Sequence, residues 1–499
     1  METSERRTGT ENLLFALKLL VGPAALLMVC SIEVEGFIYG AQIALGTLIW
    51  MVLWWVLQPV PWAITSLLPL VVFPMTEALS VKATSSLYGQ RIFFWILGTQ
   101  LLGFAILKHG LAKRFALFFL SIPGVGKTTY RLLFCYMVTT ALVSMFVSDA
   151  SSIALMLPLG LSIQAFIHTL AGGEGERQKG TQLGSFFALG TLYAAVAGGI
   201  TTIAGMPHNA VAVAQLEAFS EPTRTIGWFE WMMVGVPISI CLLIINYFIL
   251  RFFFKPEIVE IPGGQEFLQN ERQNLGGMSL GEKYVLGVFL TMAGLFTIPP
   301  LLPKILGELH WFTRWADAVM SIWIVPPIVL LLLFALPTNL KERDFVLNWK
   351  EASARAPWHI LLMISSAVGV TDALAKFGFM ALVTQAISDA QISVYTLPYL
   401  TGLVTSVSTN FISGVAATAL YTSMLIPIAQ QIGLNPAAIA ILVPGTAMGV
   451  IFPWAGATPA TAFGFGEIKL KDMIKVGIVV EIAMILVTAT ICLLFAPIL

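Results

Sequence analysis

Two short polar clusters break long apolar runs of this chain, and both carry oxygens suited to a small ion. The first groups Ser144, Ser148 and Asp149; the second groups Thr405, Ser408, Thr409, Asn410, Ser413 and Gly414. Where such a cluster interrupts a helix, freed carbonyls join the hydroxyl and carboxylate oxygens as ligands for a Na⁺ ion or as a proton relay. The N-termini of the half-helices favour an anion. Asp149 stands first, because an acid at mid-depth in a bilayer is costly unless paired, protonated or metal-bound. The alternative for it is a cap on its own half-helix. The second cluster has no carboxylate and suits either a cation or an anion.

Two further breaks, Gly205-Met-Pro207-His208-Asn209 and Ala457-Thr458-Pro459-Ala460-Thr461, offer backbone groups with little side-chain bulk. His208 is a candidate proton carrier or anion donor, set against the commoner role of a satisfied structural histidine. Cation-binding expectations fall on Ser144, Ser148, Asp149, Gly205, Thr409, Ser413 and Ala457, with Na⁺ placed at Asp149. Substrate-binding expectations fall on Ser148, Asp149, Pro207, His208, Asn410, Ser413, Gly414, Thr458 and Pro459. Glu481, in the apolar stretch Val479 to Ala483, reads as a scaffold contact rather than a site. Gly124 to Thr129 resembles a phosphate-binding loop, but Ser121 replaces the first glycine and no strand precedes it. A short amphipathic surface helix at Leu111 to Leu120 fits that region better.

A bilayer must hold these clusters. The chain of 499 residues is 57% hydrophobic and 11% charged, with a mean hydropathy of +0.86, which no soluble domain could keep out of aggregates. Its zero formal net charge argues against nucleic acid as a partner. Cys30, Cys135, Cys241 and Cys492 show neither pairing nor metal spacing and read as packing residues. The polar start of the chain has no cleavage site and reads as a cytoplasmic end.

Plain spans are expected near Leu14–Ile32, Phe37–Leu57, Trp62–Glu77, Ile92–Lys108, Trp231–Phe254, Tyr284–Leu302, Ala318–Pro337, Trp358–Lys376 and Met473–Pro497. Four more apolar stretches are interrupted at mid-depth. Irregular backbone there leaves unpaired amides and carbonyls, tolerated only where they line a cavity or bind something. Residues 131–170 and 396–431 are expected as re-entrant hairpins, 182–216 and 437–466 as broken spanning helices. The predicted fold is an all-α polytopic membrane protein of about eleven transmembrane helices plus two re-entrant hairpins. On that topology 21 lysines and arginines fall inside and 6 outside, with the N-terminus cytoplasmic and the C-terminus outside a cytoplasmic (inner) membrane.

Faint internal repeats accompany the breaks. Ser144 to Leu155 aligns without a gap on Thr409 to Leu420, sharing Phe146/Phe411, Ser148/Ser413, Ala154/Ala419 and Leu155/Leu420. Gly205 to Ala210 aligns on Ala457 to Ala462, and Lys108-His-Gly110 echoes Lys376-Phe-Gly378. An odd number of crossings between equivalent segments makes the repeats inverted, so one hairpin enters from each side and their tips meet near the midplane. The expected divisions are a tail with the first helix (1–36), a first repeat (37–254), a cytoplasmic linker (255–283) and a second repeat (284–499).

Together these residues resemble the divalent-anion/sodium symporter family of dicarboxylate, citrate or sulfate carriers. The likeness rests on Ser144 to Ser148, Leu155 to Pro158, Gly199 to Gly205 with Pro207 and Asn209, Ala457-Thr-Pro459 and Ile468 to Met473. It implies a homodimer with a scaffold and a moving transport domain, a small anion held between the hairpin tips, Na⁺ beside it, and an elevator-like movement. The family's tip signature is Ser-Asn-Thr, whereas this chain has Ser148-Asp149-Ala150 and Ser413-Gly414-Val415. Pro427 follows Ser413 by four residues more than Pro158 follows Ser148, about one helical turn. A fixed charge at Asp149 suggests one Na⁺ or H⁺ accompanying each anion as the coupling ion, with no other cofactor.

An intramembrane enzyme is the rival from another class, but no His-Glu-x-x-His, Gly-x-Ser-x-Gly or acid pair within one segment is present. A channel is a second rival, and four breaks in two pairs suit a gated carrier better than a ring-lined pore. Exchange in place of symport, or a different substrate on the same fold, remains open at this stage.

Overall fold

In lipid every backbone amide must find a partner within the chain, so apolar stretches of this length become helices. The computed structural model describes residues 9–32, 37–170, 180–220, 222–256, 258–299, 302–307, 310–319, 323–378 and 393–499. Arg6, Arg7, Arg177 and Lys179, used in the orientation count, and part of the expected span 318–337 lie outside them. Among the described residues the only strands are Pro337–Asn339 and Asp344–Phe345, one short antiparallel pair. The all-α class expected from the sequence is the class observed.

Six helices among the described residues are long and apolar enough to cross a bilayer unaided: Asn12–Cys30, Val81–Lys108, Asp149–Leu170, Trp228–Phe253, Leu280–Thr297 and Leu470–Phe495. Shorter apolar helices such as Tyr39–Trp55 and Val325–Ala335 accompany them, and Trp349–Arg355 with Trp358–Leu374 forms a pair bent by 57°.

All four interrupted stretches break where Gly, Pro and polar residues fall. Helix Thr129–Ser144 ends at the first tip and Asp149–Leu170 resumes after it; Leu397–Thr409 and Gly414–Gln431 repeat the pattern at the second. Both gaps are four residues long and fall at the positions that the repeat alignment pairs. The first pair of arms folds back on itself, since the Tyr136 hydroxyl donates to the Met156 carbonyl at 2.9 Å. At 22 residues, Asp149–Leu170 is about 33 Å long, more than the half-helix expected of a hairpin arm.

The first halves of the broken helices form the centre of the molecule. Every residue from Leu183 to Gly199 and from Ala437 to Thr446 is buried, and the helices on either side of each tip, with Trp228–Phe253 and Leu470–Phe495, pack around these two rods. Both are rich in alanine and glycine, whose small side chains let neighbouring backbones approach closely in a membrane. The rods resume beyond their breaks as Pro207–Phe219 and Ala457–Gly464.

Residues 258–283, expected as part of a linker, are held against the helices around them. Thr129 donates from its amide to Val259 and from its hydroxyl to Ile258, and Arg114 grips Glu282 and the carbonyls of Gly276 and Gly277. Leu111–Leu120 is a helix, as the amphipathic pattern predicts. Gln265 accepts from the amides of Gly124 and Gly126, so the groups a phosphate would need are already partnered.

Candidate functional site

Four helix starts converge on one cavity of about 380 Å³. Asp149, Pro207, Gly414 and Ala457 each begin a helix, and each lines that cavity. A helix N-terminus carries unpaired amides and the positive end of the helix dipole, so the four together make a positive field without a basic side chain. The N-cap positions Met206, Ser413 and Gly456 give no side-chain cap to their helices. By contrast Thr128, Thr181 and Asn435 cap the outer ends of helices in the same interrupted stretches. Thr396, at the fourth outer end, gives none; at the inner ends no side chain at these N-cap positions competes with a ligand for the free amides.

Nine expected residues line the cavity: Ser148, Asp149, Pro207, His208, Ser413, Gly414, Ala457, Thr458 and Pro459. They come from both tips and both broken helices. Pro207 occupies the first helical position, where its missing amide is no loss. Asp149 is 6% exposed; its carboxylate accepts from the Thr458 hydroxyl at 2.7 Å and from the Ala150 amide at 2.9 Å. The Ala150 bond is local, to the next residue along the chain, whereas the Thr458 bond joins a segment 309 residues away. His208 leans over Gly414: a Cβ on Gly414 would lie 2.4 Å from its Nε2 and 2.3 Å from the Ala447 carbonyl, so only glycine fits there. The His208 Nδ1 is buried without a hydrogen-bond partner.

Ser144, Gly205, Thr409 and Asn410, also expected in the site, stand behind its wall. Ser144 donates to the Ala195 carbonyl at 2.7 Å and Thr409 to that of Ser406 at 3.0 Å. Gly205 packs against the Gly199 backbone, 2.3 Å from where a Cβ would be, and its amide donates to Thr202. Asn410 donates to Glu481 and accepts from the Ile451 amide.

These second-row contacts staple each tip to a broken helix. At the first, Ser144 reaches Ala195 and Thr202 reaches the Met145 carbonyl at 2.5 Å, while Asn209 ties the break itself together by donating to the carbonyls of Gly199 and Thr202. At the second, the carboxylate of Glu481 accepts from Ser406 at 2.7 Å, Asn410 at 2.7 Å and the Val450 amide at 2.9 Å. Glu481 is therefore a positioning residue, as its apolar setting suggested.

The sequence reading missed the other wall. Trp62, Gln100, Phe104, Arg355, His359 and Met448 also line the cavity. Pro357, between two helices, was the available signal for Arg355 and His359, and Met448 falls in the break of the expected broken helix 437–466; nothing local marked Gln100.

Helices broken around a cavity are the arrangement expected of a membrane transport protein. The chain belongs to the family described as the sodium:sulfate symporter transmembrane region, whose sequence model matches residues 15–499. The sodium-dependent dicarboxylate transporter SdcS of Staphylococcus saprophyticus is 28% identical over 463 residues, covering 91% of this chain and 86% of that protein. Its counterpart in Staphylococcus aureus is 27% identical over 452 residues, covering 87% and 82%. Among solved structures, the YdaH transporter of Alcanivorax borkumensis shares the fold with a TM-score of 0.57 at 13% identity, over 91% of this chain and 98% of that one.

Proposed function

We propose that this chain is a secondary active transporter that carries a small anion of the di- or tricarboxylate or sulfate class across the cytoplasmic membrane, coupled to Na⁺ or H⁺. The observation that carries the reading is the convergence of four helix N-termini and one carboxylate on a cavity of about 380 Å³, a size suited to a small ligand. The field of the N-termini draws an anion, and Asp149 opposes it until a cation neutralises the carboxylate. Neither ion enters well alone, so the two are coupled. That two relatives are named sodium-dependent dicarboxylate transporters favours Na⁺ and a dicarboxylate.

In this reading residues 131–170 and 396–431 are re-entrant hairpins in inverted repeats, among about eleven crossings, with the N-terminus cytoplasmic and the C-terminus outside. Ser148, Asp149 and Ala457 serve the cation; His208, Ser413, Gly414, Thr458 and the Pro207 and Pro459 turns serve the anion. Two copies form a homodimer, and the stapled tips and rods move together past the remaining helices as an elevator. The test is uptake of radiolabelled succinate, citrate and sulfate into proteoliposomes under an inward Na⁺ or proton gradient. Saturable uptake that requires one of the two gradients is expected; anion flux indifferent to both would overturn the proposal.

A further inference from the structure

Arg355 is the one lysine or arginine among the residues lining the cavity, as Asp149 is the one aspartate or glutamate. It ends the helix Trp349–Arg355, after which the chain bends by 57° through Ala356 and Pro357 into Trp358–Leu374. The bend sets Arg355 and His359 in the exposed part of the lining, while Asp149 lies in the buried part. One turn before Arg355, Glu351 is taken by Lys108, with 2.5 Å between Nζ and Oε2. Among the described residues Arg355 has no carboxylate partner; its guanidinium rests over the Phe104 ring, 5.8 Å from the centre. The cavity thus has a carboxylate at depth and a free guanidinium at its mouth.

A guanidinium presents a planar fork of donors that matches two oxygens of a carboxylate or sulfate at once. We propose that Arg355 is a further binding residue that receives the oxyanion at the cavity mouth, before it passes to the helix N-termini beside Asp149. This inference rests on the carrier reading above. The competing account is structural: a cation in the last turn of a helix, complementing its dipole and packed on Phe104.

The experiment measures initial rates of succinate uptake, with sulfate as the second probe, by wild type, Arg355→Gln and Arg355→Lys at low and high ionic strength. Loss of a steering and binding charge is expected to raise KM about tenfold in Arg355→Gln at low salt, to flatten the salt dependence, and to leave kcat within about twofold. Arg355→Lys, which keeps the charge but not the planar fork, is expected to restore the salt dependence and only part of the affinity. An unchanged KM in Arg355→Gln, or a fall in kcat at unchanged KM, would overturn the role of Arg355 while leaving the carrier reading intact. Wild type that carries neither anion under either gradient overturns both.

Discussion

The two helix-break-helix tips share their length of break and their place in the repeat alignment, yet they put their charge on opposite sides of the cavity wall. At the first, Asp149 stands in front, facing the cavity, and the staple behind it is made of the neutral groups of Ser144 and Thr202. At the second, Gly414 stands in front and the carboxylate, Glu481, is behind, on the last helix. A carboxylate in front meets whatever the cavity admits; one behind, holding three donors, sets geometry. One backbone frame used twice therefore produces one charged pole and one bare pole.

The largest effect is expected at the second staple. Glu481→Ala leaves the Val450 amide and the side chains of Ser406 and Asn410 buried without their acceptor, a loss of about 3–5 kcal/mol. Thermal unfolding in detergent should show it, and a melting temperature equal to wild type would break the assignment of Glu481 to the frame. At the first tip the same truncation acts on function: Asp149→Ala should lower cation-driven uptake about a hundredfold, on the scale of a charge-assisted contact. Uptake with an unaltered response to Na⁺ and pH would remove Asp149 from the coupling.

Smaller changes sharpen the contrast between the poles. Gly414→Ala drives a methyl against the Ala447 carbonyl and His208, and uptake should fall about tenfold with folding retained, as expected for overpacking of 1–3 kcal/mol. Rates equal to wild type would show that the bare pole tolerates bulk. Thr458→Val removes one hydrogen bond from Asp149 and should weaken cation affinity by about fivefold, the scale of ~1 kcal/mol, read from the Na⁺ or proton dependence of uptake. A larger shift in anion KM than in cation affinity would show that Thr458 serves the anion alone and does not act through Asp149.

Membrane class, helical fold and the places of the four breaks were legible in the sequence, because each depends on composition within a single segment. A run of apolar residues crosses lipid wherever it falls, and Gly, Pro and Ser disturb the helix they occupy. The repeat alignment of Ser144 to Leu155 on Thr409 to Leu420 contains both breaks at paired positions, since Ser144 and Thr409 end one helix and Asp149 and Gly414 begin the next. Which tip residues face the cavity was not legible: Ser144, Thr409 and Asn410 differ from Ser148, Ser413 and Gly414 only in where their helix turns them. The bond from Thr458 to Asp149, the seat of Glu481 behind Asn410, the stacking of His208 over Gly414 and the arrival of Arg355 at the mouth were decided by tertiary packing alone. Each joins segments far apart in the chain, and no local propensity carries information about which distant surface a helix end will meet.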